Sequence, residues 1–151
     1  MPPIIVSDAS CLILYSKIDE FVILKKVFKQ ITITESVSKE FNQPLPCWVQ
    51  VRNPVGDFHL RLLNQLDYGE ATSISLASEF ENSLLIIDEL KGRKIAKELN
   101  INITGSLGIL VAAKNKGIID SVKPILLKVR QTNFRLSDKI IEMVLLRSGE
   151  R

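Results

Sequence analysis

The sequence is poor in the residues that build thiolate and imidazole sites. It has one histidine, His59, and two cysteines, Cys11 and Cys47, among 151 residues. A single histidine excludes a multi-histidine zinc centre and leaves any Ser-His-Asp arrangement resting on one residue in a loop-like stretch. The cysteines fit no metal spacing and no disulfide framework. Both stand in apolar settings, Ser10-Cys11-Leu12-Ile13 and Pro46-Cys47-Trp48-Val49, so buried free thiols are expected. No apolar run reaches the ~18–20 residues of a membrane span. The longest candidate, 103–113, is interrupted by Gly105, Ser106 and Gly108. The opening Met1-Pro2-Pro3 lacks a basic n-region, and the apolar run behind it is too short for a signal peptide. The expectation is a soluble, cytoplasmic protein with no membrane partner. Aromatics are 6% and form no evident stacking platform for exposed bases. Neither Gly-x-Gly-x-x-Gly nor Gly-x-x-x-x-Gly-Lys-Ser/Thr occurs, so a dinucleotide or P-loop site has no support.

What remains is an ordinary globular mixture, 46% hydrophobic and 25% charged, which excludes a disordered chain or a fibre. The length predicts one domain over 1–151, large enough to stabilise itself by its core. A net charge of +3 neither requires nor opposes a nucleic-acid partner, so the segregation of acids and bases matters more.

Apolar, β-branched runs at 3–7, 31–34, 84–87 and 101–103 read as four buried strands, with a further extended piece at 48–51. Helical spacing follows them at 11–15, 19–28, 35–41, 71–80, 90–99 and 107–116, and the tail reads as helices near 121–131 and 137–147. The stretch 58–66 is a weaker helical candidate, and the proline-rich 42–57 a loop. Strands that are apolar rather than alternating, each followed by a helix, predict an α/β fold: three layers, α/β/α, around a central parallel sheet. Right-handed crossovers then bring every strand's C-terminal end to one edge, where ligand sites form.

Acids stand at that edge. Asp8 ends the first strand, and Asp88 ends the strand at 84–87, followed by Glu89. Glu40 on the helix after the second strand and Glu70 in the helix opened by Asp67 can reach the same cleft. Each has a purely structural alternative: Asp8 and Asp88 as N-caps, Asp67-Tyr68-Gly69-Glu70 as a capping box, Glu40 as a solvated surface residue. Together, three or four converging carboxylates repel one another, and a divalent cation removes the conflict. Oxygen-only donors favour Mg²⁺ or Mn²⁺ over zinc. Such ions can activate water, hold a phosphate oxygen and stabilise a leaving oxygen, as a phosphodiesterase or nuclease requires.

These residues resemble the PIN domain, the nuclease fold of VapC-type toxins and a relative of the flap-endonuclease fold. The resemblance covers nearly the whole chain and rests on Ile4-Ile5-Val6-Ser7-Asp8-Ala9-Ser10, Val37-Ser38-Lys39-Glu40, Leu66-Asp67-Tyr68-Gly69-Glu70-Ala71, Ile86-Ile87-Asp88-Glu89 and Thr104-Gly105-Ser106-Leu107-Gly108, in that order. The last three are similar to the signatures of a VapC-like branch. The resemblance implies that Asp8, Glu40, Glu70 and Asp88 bind Mg²⁺ or Mn²⁺ and catalyse RNA hydrolysis. It also implies a homodimer and a small antitoxin partner. The family's third acid is usually Asp, whereas Glu70 stands here with Asp67 as its competitor; position 89 is more usually Asp.

Lys91, Arg93, Lys94 and Lys97 follow Asp88 on one helix and are candidates for holding an RNA backbone, against the alternative of a solvated face. Arg130 and Arg135 flank 131–134 and form a candidate phosphate rim among the tail bases, which include Lys123, Lys128, Lys139 and Arg147. Ser106 is read as a helix cap or as a contact to a metal-bound water, and Trp48 as local packing. Leu12, Ile13, Phe21 and Leu24 serve either a dimer face or the core. Two rivals to a metal-dependent ribonuclease stay open. One is a non-catalytic PIN-like module that binds RNA or protein. The other is a phosphoryl-accepting receiver-like domain, whose order of acid, Thr/Ser and Lys this chain does not follow.

Overall fold

The first strand, β1 (Ile4–Ser7), is the centre of the molecule described by the computed structural model, which covers residues 2–151. It is flanked on one side by β2 (Ile31–Ile33) and then β3 (Val49–Val51), and on the other by β4 (Ser83–Ile86) and then β5 (Asn102–Thr104). All four pairings are parallel, giving the order β3-β2-β1-β4-β5. The extended piece at 48–51 is therefore a fifth strand, on the edge. There only Val49 is buried, while Gln50 and Val51 face outward. β1 and β4 run side by side over four residues, Ile4 beside Ser83 to Ser7 beside Ile86. The chain moves outward from β1 on one side, then returns to its other side. The switch in strand order thus lies between the ends of β1 and β4.

Strand side chains alternate between two cores. Ile5, Ile33 and Ile86 pack with α1 (Ala9–Lys17), α2 (Phe21–Phe28), α7 (Ser106–Asn115) and α8 (Lys123–Arg130). The last helix, α9 (Asp138–Arg147), adds Val144 to that side. Val6, Leu85 and Ile87 pack on the opposite face against α5 (Tyr68–Ser78) and α6 (Leu90–Glu98). This is the expected three-layer arrangement. Leu12 and Leu24 are fully buried, while Ile13 and Phe21 are partly buried against the same core.

Several local expectations need correction. The helix expected from Asp19 begins at Phe21, because Asp19 takes a left-handed turn at φ 57°. The stretch 58–66 makes a single turn, α4 (His59–Leu62), whose N-cap position, Phe58, offers no side-chain acceptor. Cys11 is buried as expected, but Cys47 is exposed. Leu45 and Trp48 turn toward the core, Trp48 lying 5.2 Å from Phe21 between ring centroids, and Cys47 between them faces outward. No helix among the described residues is long and apolar enough to cross a membrane.

Candidate functional site

Asp8 follows β1 directly, and its N–H donates to the Ile86 carbonyl at 2.9 Å, continuing the ladder past the strand. Asp88 lies two residues beyond β4. The aspartates, 80 positions apart, meet through their own backbone and one serine. Asp88 N–H donates to Asp8 Oδ2 at 3.2 Å. Ser10 Oγ lies 3.0 Å from Asp8 Oδ2 and 3.2 Å from Asp88 Oδ2, one hydroxyl proton shared by two acceptors. Asp8 Oδ1 accepts from Cys11 N–H at 3.1 Å and caps α1 as expected. Asp8 is only 4% exposed. Burial and the neighbouring Asp88 push its carboxyl up to about 7, against the pull of hydrogen bonds from Cys11, Asp88 and Ser10.

Asp88 does not cap the helix that follows it. Glu89 holds that position and makes no side-chain cap bond. Asp88 instead serves α7: its Oδ1 accepts from Ser106 N–H at 2.7 Å, and its Oδ2 from Ser106 Oγ at 2.5 Å. Ser106 is therefore not the cap of its own helix. Gly105 stands there, and the carboxylate from the neighbouring strand satisfies the free N–H. The small residue leaves room for this contact: a Cβ on Gly105 would stand 2.9 Å from both Asp88 Oδ1 and Arg93 Nη1, and one of them would have to shift. Tyr15, fully buried, donates to the Ser106 carbonyl at 2.7 Å and ties this turn to α1.

A second acidic group sits beside the first. Asp67 caps α5, accepting from Glu70 N–H at 2.8 Å, which is one half of the expected capping box. The Glu70 carboxyl is pushed up to about 7 by burial, then by Asp67, Glu89 and Asp8. Glu40 lies near the end of α3 (Glu35–Phe41), and its carboxyl is raised by desolvation and by Asp67. A buried hydroxyl pair, Thr34 Oγ1 to Thr72 Oγ1 at 2.9 Å, fixes α3 against α5. Gly69 lets the Glu40 carboxylate close in, since a Cβ there would stand 3.0 Å from Glu40 Oε1. Of the two candidates for the third acid, Asp67 spends Oδ1 on its cap, whereas Glu70 feels the charge of Asp8.

All four predicted acids therefore reach the C-terminal edge of the sheet, in two adjoining groups. Among the described residues, no three His, Cys, Asp or Glu side chains are gathered tightly enough to hold an ion. The donor chemistry nevertheless fits a hard cation. The donors are all oxygen, and two carboxyls are held up to about 7 first by burial and then by neighbouring carboxylates, a conflict that a divalent ion relieves.

An open cleft of about 1160 Å³ adjoins the aspartates. Its lining carries acids (Glu40, Asp88 and Glu89), bases (Lys17, Arg93, Arg135 and Arg147) and Ser10. Of the predicted RNA-binding residues, Arg93 lines the cleft, but its Nη1 donates to the Ile87 carbonyl at 2.8 Å. Ser106 is buried on Asp88. Lys91 and Lys94 are exposed on α6 and are not among the lining residues. The expected rim is half present: Arg135 lines the cleft and Arg130 does not. Ser10 as a bridge and Lys17 as a lining cation were not anticipated. Ser10 lies two residues after Asp8 on the first helical turn, which was the available signal. His59 lies elsewhere, its ring edge-on to Tyr68 at 5.6 Å.

A search of curated proteins finds no match to this sequence. Residues 4–150 match the family described as DUF3368, PIN domain, and the chain belongs to that PIN-domain family.

Proposed function

We propose that this protein is an endoribonuclease that hydrolyses RNA phosphodiesters with Mg²⁺ or Mn²⁺ held by Asp8, Asp88, Glu70 and Glu40. The observation that carries this reading is the Asp8–Asp88 pair, set by the sheet at its topological switch point, where burial and the neighbouring Asp88 raise the Asp8 carboxyl. A bound divalent ion supplies positive charge for the attacked phosphate and lowers the pKa of water. The chain supplies the rest. Ser106 and Ser10 fix the orientation of Asp88 by hydrogen bonds to both of its oxygens. Cys11 N–H and Ser10 do the same for Asp8. Cationic side chains in the cleft hold the phosphate backbone, so that the bond to the leaving 3′-oxygen lies beside the acids.

Purified protein incubated with mixed single-stranded and structured RNAs should cleave with Mn²⁺ or Mg²⁺ and stop in EDTA. Asp8→Asn and Asp88→Asn should each lower the rate at least about 100-fold, the order expected for a lost electrostatic stabiliser, while circular dichroism stays native. Cleavage retained in both variants would remove the assignment.

A role as a toxin of the VapC-like branch, with a small antitoxin, a homodimeric state and a cytoplasmic location, extends this proposal. Growth arrest on expression, relieved by Asp88→Asn, tests the toxin role; sedimentation tests the dimer. The rival reading, a non-catalytic RNA- or protein-binding module, is favoured by one observation: both Asp88 oxygens are already satisfied by Ser106 and Ser10. It requires RNA retention without metal-dependent turnover.

A further inference from the structure

Tyr15 is 1% exposed on α1, and it packs in the core that α1 shares with α2, α7 and α8. Packing alone needs no hydroxyl there, and a buried hydroxyl costs free energy unless it finds a partner. Its partner is the Ser106 carbonyl, at 2.7 Å and 91 residues along the chain. Ser106 is the first residue of α7 and the residue that holds Asp88. Its N–H donates to Asp88 Oδ1 at 2.7 Å, and its Oγ to Asp88 Oδ2 at 2.5 Å. Each polar group of Ser106 is thus engaged, two on the carboxylate and one on α1. Cys11, four residues before Tyr15 and on the same face of α1, lies against the Ser106 side chain as well. The helix that makes these contacts is the one capped by Asp8, through the Cys11 N–H at 3.1 Å. It carries one aspartate at its start and, two turns on, grips the residue that holds the other.

We propose that Tyr15 is a positioning residue for Asp88, its hydroxyl fixing the first turn of α7 so that Ser106 presents N–H and Oγ to the carboxylate together. Only the consequence rests on the metal-dependent reading; the hydrogen-bonded chain stands without it. A carboxylate gripped on both oxygens keeps one orientation, and groups behind a metal ligand set its affinity in this way. Tyr15 does not line the cleft, so its hydroxyl acts through Ser106 and not on RNA.

The test compares full-length wild type, Tyr15→Phe and Glu150→Gln. Tyr15→Phe keeps the ring and its packing and removes the hydroxyl. Glu150→Gln is the control: it weakens the fold at the other end of α7, away from the acids. In metal-free protein, losing the hydroxyl perturbs the Ser106–Leu107 peptide directly. Only a displaced Ser106 also moves the Gly105–Ser106 peptide, so the Ser106 amide proton resonance is the first readout. It should shift upfield as the bond to Asp88 lengthens. Mn²⁺ affinity without RNA, read from the free ion by electron paramagnetic resonance, should fall about 10-fold, the lower end for a lost group behind a metal ligand. Glu150→Gln should leave both readouts at the wild-type value. A Ser106 amide that stays in place in Tyr15→Phe, wild-type Mn²⁺ affinity in that variant, or equal changes in Glu150→Gln would overturn the proposal. Wild-type protein that binds no Mn²⁺ would overturn the metal reading instead, and the Ser106 amide would then decide this one.

Discussion

Asp8 is a buried carboxyl held at high pKa, and the sign of its effect on stability follows. Its ordinary value is 3.8, and in the folded chain it titrates near 7. Between those values the native state binds a proton that the unfolded chain releases, so stability falls as pH rises through this window. Glu70, raised from 4.5 to about 7, acts in the same direction. Without divalent metal, the melting temperature should therefore drop between about pH 4 and pH 7. Asp8→Asn, which cannot ionise, should flatten that drop; an unchanged profile would mean that Asp8 is not the group titrating. The aspartates were visible in the sequence because each follows an apolar strand. The partner of Asp88 was not, because Ser106 reaches it from the end of another strand, 18 residues on. Cys47 shows the same limit, since an apolar local setting says nothing about which neighbour turns inward.

Among the elements, α3 and α5 carry Glu40 and Glu70, and a buried hydroxyl contact joins them. Thr34 caps α3, accepting from Val37 N–H at 3.3 Å, and its hydroxyl also meets Thr72. Thr34→Val keeps the shape but removes both bonds, leaving an α3 N–H without its acceptor. The expected cost is about 1–2 kcal/mol, measured by urea unfolding. A larger share of lost metal-dependent cleavage than of lost stability would place the effect in helix alignment. The short helix Glu35–Phe41 was legible in the sequence, but its cap was not, because Thr34 reads as the last residue of the apolar run 31–34. The stretch 58–66 had apolar residues but no cap, and only one turn forms. The edge strand β3 was half legible. Three residues beside a proline-rich segment become a strand only because β2 offers them a ladder.

The whole molecule is tied together near the end of the chain. Glu150 accepts from Ser121 Oγ at 2.5 Å, Val122 N–H at 2.7 Å and Lys114 Nζ at 3.1 Å, joining the last residues to α7 and to the start of α8. These donors hold its carboxyl down to about 2. Its contribution to stability is thus present above its ordinary 4.5 and is lost as pH falls toward 2. Glu150→Gln should lower the melting temperature at pH 6, and the gap from wild type should close as pH falls through that range. A gap independent of pH would deny the carboxylate this role. The order of the strands carries a consequence for synthesis. The central strand is made first, but the partner that seats Asp88 beside Asp8 comes some eighty residues later. A chain interrupted before β4 holds Asp8, Glu40 and Glu70 yet lacks the paired aspartates. The pairing of the two aspartates is therefore completed only when the polypeptide is more than half made.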